Sequence, residues 1–206
     1  MVTVLIGAYR LSTGQPCVGV VNQPFVTPAS GEEYRGQAHW GLCVGGHRAT
    51  SVTSSQVSRP EEEKPRVLIG SAEEERIIAA LSEHFTVVRA GGAGHKLLMV
   101  ALGWCINTID TSYIINLYPG LADVYINSGA STYKWDTCAP HSLLVSLGGG
   151  VRGCRQHIGQ GGDRQGGGEL VYNVHMEGAD RCNSGGVIAF RDNSCLDLVV
   201  NLLQKL

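Results

Sequence analysis

Residues 133–150 read YKWDTCAPHSLLVSLGGG, and the fold turns on how this stretch divides. Asp136 stands between an aromatic pair, Tyr133 and Trp135, and a run in which Pro140, Leu143, Leu144 and Leu147 recur at i, i+3, i+4 and i+7. That spacing lines one face of an α-helix, so Asp136 marks its start and Gly148, Gly149 and Gly150 its end. Two readings of Asp136 stand open. Its carboxylate either caps the N–H groups of the first turn, as Asp commonly does, or turns outward to hold a cation beside the helix N-terminus, where phosphate is also favoured.

Upstream, the same alternation of short apolar runs and helical stripes repeats. Residues 66–69 form an apolar run, Ser71 and Glu74 make an S-x-x-E capping box with Glu73 and Glu75 adding charge to the first turn, and Ile77, Ile78, Leu81 and Phe85 supply the stripe. Residues 86–88 read as the next strand, giving a βαβ unit. Residues 89–96, RAGGAGHK, lead into a helical run containing Leu97, Leu98, Val100 and Ala101. Glycines before a helix let backbone N–H groups approach a ligand, and Lys96 adds a charge for phosphate; a plain strand-to-helix turn with a solvated lysine is the simpler alternative. No GxxxxGK[ST] is present.

Downstream, residues 122–126 are a strand before the 133–150 stretch. Gly148, Gly150 and Gly153 match GxGxxG in form, but they follow a helix instead of joining a strand to one, which excludes a dinucleotide fingerprint. Residues 159–168 are a glycine-dominated loop, 170–174 and 187–190 are strands, and Asn193 or Ser194 caps a last amphipathic helix through Leu196, Val199, Val200 and Leu203.

The first part of the chain has a different period. Val2, Val4, Leu5 and Ile6, a turn over 12–15 and a second run over 17–21 make a hairpin; residues 33–35 and 38–44 make another, joined at Gly36, with Trp40 on its buried face. The expected organisation is an antiparallel-sheet half over 1–58, a Ser-rich, acidic, Pro-bounded connector over 51–65, and an α/β half over 66–206.

Composition limits the function. The chain has 206 residues, 43% of them apolar, enough for a substantial core. A net charge of −2, from 16 basic and 18 acidic residues mixed along the chain, leaves no basic stripe for nucleic acid. Seven scattered cysteines without a CxxC pair read as reduced thiols in a cytoplasmic protein, and argue against zinc. The longest apolar run falls far short of the roughly 20 residues a membrane span requires.

With YKWDTC at 133–138 followed by His141 and three glycines at 148–150, the chain resembles the lithium-sensitive, magnesium-dependent phosphomonoesterases of the inositol monophosphatase superfamily. Within it the likeness is greatest to the branch that removes the 1-phosphate of inositol polyphosphates. Residues 2–25, VTVLIGAYRLSTGQPCVGVVNQPF, resemble the strands after that family's catalytic acidic motif, and 36–41, 89–96, 120–126 and 170–190 correspond in order.

The resemblance implies a layered αβαβα fold, α+β in its first half and α/β in its second. It further implies Mg²⁺-assisted hydrolysis of inositol 1,4-bisphosphate and inositol 1,3,4-trisphosphate, and inhibition by Li⁺. The partner it implies is a small inositol phosphate, with no nucleic acid and no membrane. Asp136 matches a metal ligand of the family. Gly92, Ala93 and Lys96 match the loop that contacts substrate, with Lys96 placed for the second phosphate. Trp135, Cys138 and His141 are assigned to packing, since a magnesium site prefers oxygen donors.

The chain also departs from the pattern. The family's other metal ligands precede the region matched by Val2, no D-x-x-D occurs, and Asp110, Asp123, Asp163, Asp180 and Asp192 stand singly. One aspartate cannot build a two-metal site with centres about 3.5–4 Å apart, which needs several converging carboxylates. Gly129 replaces a family acidic residue that contacts inositol hydroxyls, Glu74 stands where relatives carry a substrate-facing lysine, and Pro140 replaces a small helix former. Residues 103–119, GWCINTIDTSYIINLYP, have no family counterpart and read as an insertion arising from a gene-model error or as an exposed apolar flap.

The expectation is therefore the C-terminal portion of such a phosphatase, inactive alone. The alternatives are a non-catalytic phosphate-binding remnant, or the neighbouring branches acting on inositol monophosphate or 3′-phosphoadenosine 5′-phosphate.

Overall fold

The computed structural model describes residues 2–26, 35–52, 63–103, 122–158, 168–173 and 181–206. All of the expected 103–119 insertion but Gly103, most of the 51–65 connector and most of the 159–168 glycine loop lie outside the described residues, as do Glu33 and Val174.

The opening hairpin is present as β1 (Val4–Tyr9) and β2 (Pro16–Val26), followed by β3 (Arg35–Val44) and β4 (His47–Thr50) in an antiparallel sheet of order β1-β2-β3-β4. Gly36 is not a turn: β3 runs through it and pairs with β2, with a register shift between Gln23 and Val26.

Register places three glycines in one row across this sheet, Gly7 opposite Gly19 and Gly19 opposite Gly41. Side chains alternate between faces, so the glycines share one face and their neighbours Ile6, Val20 and Trp40 share the other. The glycine face receives the helix of the opening stretch. A β-carbon on Gly7, Gly19 or Gly41 would stand 2.7, 2.0 or 2.6 Å from Ala139 N, Ala139 O or Leu143 Cα. The expectation of a buried Trp40 is corrected by this register: with Gly41 facing the helix, Trp40 points away and is 44% exposed.

The second sheet is mixed. Strands β5 (Arg66–Ile69), β6 (Thr86–Arg89), β7 (Val124–Asn127), β8 (Gly150–Arg152) and β9 (Val187–Phe190) take the order β6-β5-β7-β9-β8. Strand β5 is parallel to β6 and β7, while β9 runs antiparallel to β7 and β8. Among the described residues four α-helices accompany it: α1 (Glu75–Ser82), α2 (Ala93–Leu102), α3 (Lys134–Ser146) and α4 (Asn193–Leu203).

Both faces of this sheet are covered, as a sheet rich in parallel strands requires. Leu68, Tyr125, Val187 and Ala189 face α2, α3 and Val21 of the first sheet; Val67, Ile69, Val124, Ile126, Ile188 and Phe190 face the stripes of α1 and α4. Helix α2 lies between the two sheets and is buried on all sides from Leu97 to Leu102, which the uniformly apolar sequence of that stretch permits; Lys96 before it is buried as well. The described residues thus stack as sheet, helix pair, sheet, helix pair, four consecutive layers of the αβαβα arrangement.

Three local expectations are corrected. Residues 170–173 form no strand: Leu170 N–H donates to Val151 O at 3.0 Å and Tyr172 N–H donates to Gly14 O at 2.8 Å, so the segment spans from one sheet to the other. Ser71 does not cap α1, whose N-cap is Glu74, because Glu73 turns inward instead of serving the first turn. The cap of α4 is Asp192, whose Oδ1 accepts the Ser194 N–H at 2.8 Å.

Candidate functional site

Strands β5, β6 and β7 are parallel, and each is followed by a helix, so the N-termini of α1, α2 and α3 all open at the same edge of the sheet. Such an edge is where α/β sheets bind ligands, and helix N-termini offer free N–H groups and positive dipole ends to an anion.

Residues of the opening stretch meet this edge through α3. Its first residue is Lys134 and its N-cap Tyr133, so Asp136 is the third helical residue and not the cap itself. Asp136 Oδ2 nevertheless accepts the Tyr133 N–H at 2.8 Å, closing the reciprocal half of a capping box. Asp136 is half-buried. Pro140 lies in the interior of α3 and has no N–H to give the Asp136 carbonyl.

Trp135 does not pack in the core: it is 57% exposed and stacks on Tyr133 with ring centroids 4.6 Å apart and planes 3° from parallel. Cys138 and His141 are buried. His141 Nδ1 shares a 3.1 Å hydrogen bond with the Tyr172 hydroxyl, which donates to Thr137 Oγ1 at 3.2 Å, so a polar chain ties α3 to the 170–173 segment.

The loop from β7 to α3, which sets the position of Asp136, is braced along its length. Asn127 Nδ2 donates to Gly129 O at 2.7 Å, and Ser131 Oγ donates to Asn127 Oδ1 at 2.9 Å. Asn183 N–H donates to Thr132 O at 2.8 Å, and its Nδ2 donates to Thr132 Oγ1 at 3.1 Å. Gly129 itself faces open space: a β-carbon there would meet nothing within 4 Å.

On α2, Gly92 is the N-cap at φ +75°, a conformation other residues rarely adopt, and no side chain caps it; Ala93 is the first helical residue. Lys96 is not solvated, as a plain surface turn would have it. It is 6% exposed, with its ammonium 4.7 Å from the centroid of the Tyr125 ring. Burial lowers the Lys96 pKa and the charge of Glu73 opposes that shift. Tyr125 is itself raised by burial first, then by the charges of Glu73 and Asp136. The tyrosine beneath Lys96 therefore also feels the charges of Glu73 and Asp136.

Glu73 and Ser128 are the residues the sequence reading missed. Glu73 sits in an acidic run at a helix start, a pattern that solvated first-turn charges share, and Ser128 belongs to no motif. Their association becomes visible only when β5 and β7 are paired. Glu74, given no binding role, accepts a 2.7 Å hydrogen bond from Arg76 Nε.

Asp136, Gly92, Ala93 and Lys96 thus come from the ends of neighbouring elements at one edge. A divalent cation is a different matter. Among the described residues, no group of three or more His, Cys, Asp or Glu side chains converges to hold a metal ion. Asp136 offers one carboxylate, and one of its oxygens is already engaged by the backbone. These residues do not make a complete magnesium site, which draws on several oxygen ligands.

Comparison with known proteins extends this picture. The Inositol monophosphatase family model matches residues 1–179. Inositol polyphosphate 1-phosphatase of Bos taurus is 36% identical over 232 residues, covering 100% of this chain and 53% of that protein. The 3'(2'),5'-bisphosphate nucleotidase 1 of Mus musculus is 28% identical over 194 residues, covering 91% of this chain and 50% of that protein. Among solved structures, 2'AMP-bound SaIMPase-II superposes with a TM-score of 0.54 at 14% identity, over 98% of this chain and 61% of that one. An IMPase/NADP phosphatase complexed with Mg²⁺ and phosphate gives 0.52 at 12% identity, over 98% and 58%. The chain spans about half the length of the curated relatives it matches. No helix among the described residues is long and apolar enough to cross a membrane.

Proposed function

We propose, from the premise that this chain belongs to the inositol monophosphatase family, that it forms the inositol phosphate-binding wall of a phosphomonoesterase removing the 1-phosphate of inositol 1,4-bisphosphate and inositol 1,3,4-trisphosphate. The observation that carries the reading is the shared edge: three helix N-termini, with Lys96 and Asp136 in two of their first turns, in a chain 36% identical to an inositol polyphosphate 1-phosphatase.

The chain's own contributions follow from the geometry. The N–H groups at the uncapped start of α2, past Gly92 and Ala93, donate to phosphoryl oxygens, and Lys96 supplies a positive charge for a second phosphate. Asp136 is one metal-binding carboxylate, held by the α3 cap. Magnesium, when bound in this family, activates the attacking water; with no D-x-x-D in the sequence and a single aspartate matching the family's ligands, residues 1–206 alone bind the inositol phosphate without hydrolysing it. Identity of 36% to the 1-phosphatase against 28% to the nucleotidase favours inositol phosphates over 3′-phosphoadenosine 5′-phosphate.

The test is titration of the isotope-labelled chain with inositol 1,4-bisphosphate. Amide shifts concentrated at 92–96 and absent in Lys96→Ala support the reading; shifts that ignore this loop overturn it.

A further inference from the structure

Glu73 is 8% exposed, yet it lies in a loop and caps no helix through its side chain. A buried carboxylate is tolerated only when donors surround it. Three do: Ser128 N–H at 3.1 Å and Glu74 N–H at 3.2 Å, together with the Ser128 hydroxyl. Ser128 is thereby bound through its N–H and hydroxyl to Glu73, while its carbonyl accepts the Arg155 Nε–H at 3.2 Å. From behind, Gly186 presses on the same loop so closely that a β-carbon there would stand 2.2 Å from Asn127 O.

Lys96, on the third element of the edge, lies against the same two segments. The Lys96 ammonium is 3.7 Å from the position a β-carbon on Gly70 would take, in the same β5–α1 loop as Glu73, and lies over Tyr125, three residues before Ser128. Lys96 is therefore bracketed by the two segments that Glu73 joins.

We propose that Glu73 is the positioning residue of this edge: its carboxylate clamps the β7–α3 loop to the β5–α1 loop and presents a buried negative charge to Lys96. The idea rests on the reading of the edge as an anion site, and it assigns Glu73 no contact with substrate. Burial lowers the Lys96 pKa and the charge of Glu73 opposes that shift, so removing the carboxylate lowers it further and weakens the hold on the ammonium form. The titratable groups around Lys96 are Glu73 on the β5–α1 loop, Tyr125 on β7 and its own neighbour His95.

The experiment follows Lys96 ionisation through side-chain carbon shifts in the labelled chain, with Lys96→Arg identifying the signal. Glu73→Gln, which keeps the size and removes the charge, lowers the Lys96 midpoint. Ser128→Ala, which keeps the charge and removes one hydrogen bond, leaves that midpoint in place while lowering the urea midpoint. An unchanged Lys96 midpoint in Glu73→Gln overturns the proposal.

A second readout needs no variant that must fold. In the unmodified chain the Ser128 amide, bonded to Glu73, shifts with the Lys96 midpoint; a Ser128 amide blind to that transition also overturns the proposal. Inorganic phosphate separates the two ideas. Lys96 and Ser128 titrating together while phosphate leaves the Gly92 and Ala93 amides unmoved supports the clamp and counts against the anion reading.

Discussion

The carboxylate of Asp136 accepts the backbone N–H of Tyr133 at 2.8 Å, so the residue proposed to hold a cation also holds the start of the helix that carries it. The two roles separate by substitution. Asp136→Asn keeps an acceptor oxygen and leaves the urea unfolding free energy within about 0.5 kcal/mol. Asp136→Ala loses the cap and costs about 1 kcal/mol. Magnesium-dependent shifts at the 133–137 amides, present in the parent chain, disappear in both variants; persistence in Asp136→Asn refutes the carboxylate as the ligand.

Glycine 19 carries a stability prediction. A β-carbon there would meet Ala139 O at 2.0 Å and further α3 backbone beyond it, and backbone cannot swing aside. Gly19→Ala destabilises by about 1–3 kcal/mol or more, through overpacking between the first sheet and α3. Gly91→Ala, where nothing lies within 4 Å, is the control and shows no such loss in urea denaturation.

Stability falls with acid through His141. Burial first, and the charge of Lys134 second, lower its pKa from 6.5 to about 3. The unfolded chain therefore takes up a proton where the folded chain does not. The contribution of His141 is complete above the unfolded value near 6.5 and is lost as pH falls toward 3, at up to about 1.4 kcal/mol per pH unit. Urea unfolding at pH 7 and pH 5 measures the slope, and His141→Leu flattens it by about 0.7 proton on average over that interval; an equal slope in the variant contradicts the assignment.

The outer face of the first sheet predicts self-association. Val4 and Ile6 on the edge strand β1 are 48% and 67% exposed, and Trp40, two strands away on β3 and in the same row as Ile6, is 44% exposed on the same face. Ile6→Thr with Trp40→Thr lowers the associated fraction in light scattering and shifts the unfolding free energy by no more than about 0.5 kcal/mol. Undiminished association places the contact elsewhere.

Period carried most of the fold from the sequence. The β5–α1–β6 unit, the 133–150 helix with its glycine end, and the opening hairpin all announce themselves by apolar spacing and turn chemistry. Errors arose where a side chain's role depends on a partner far along the chain. Trp40 looks like a core residue until register puts Gly41 on the helix face. Residues 170–173 have strand composition but spend their hydrogen bonds on Val151 and Gly14.

The positions of Gly92, Ala93, Lys96 and Asp136 at strand-to-helix junctions were legible from the apolar spacing around them, while the roles proposed for them come from the family resemblance. Glu73 was not, since its three donors include a serine 55 residues away and its neighbours in sequence are ordinary surface acids. The burial of Lys96 was equally hidden, because it follows from Tyr125 lying beneath it on another strand.

The account stands most directly on what residues 1–206 can and cannot do with substrate. The measurement is phosphate release from inositol 1,4-bisphosphate by the purified chain with Mg²⁺ present, alongside amide shifts under the same conditions. The account predicts shifts at 92–96 with no release of phosphate above the enzyme-free rate. Magnesium-dependent, lithium-sensitive turnover by this chain would contradict it.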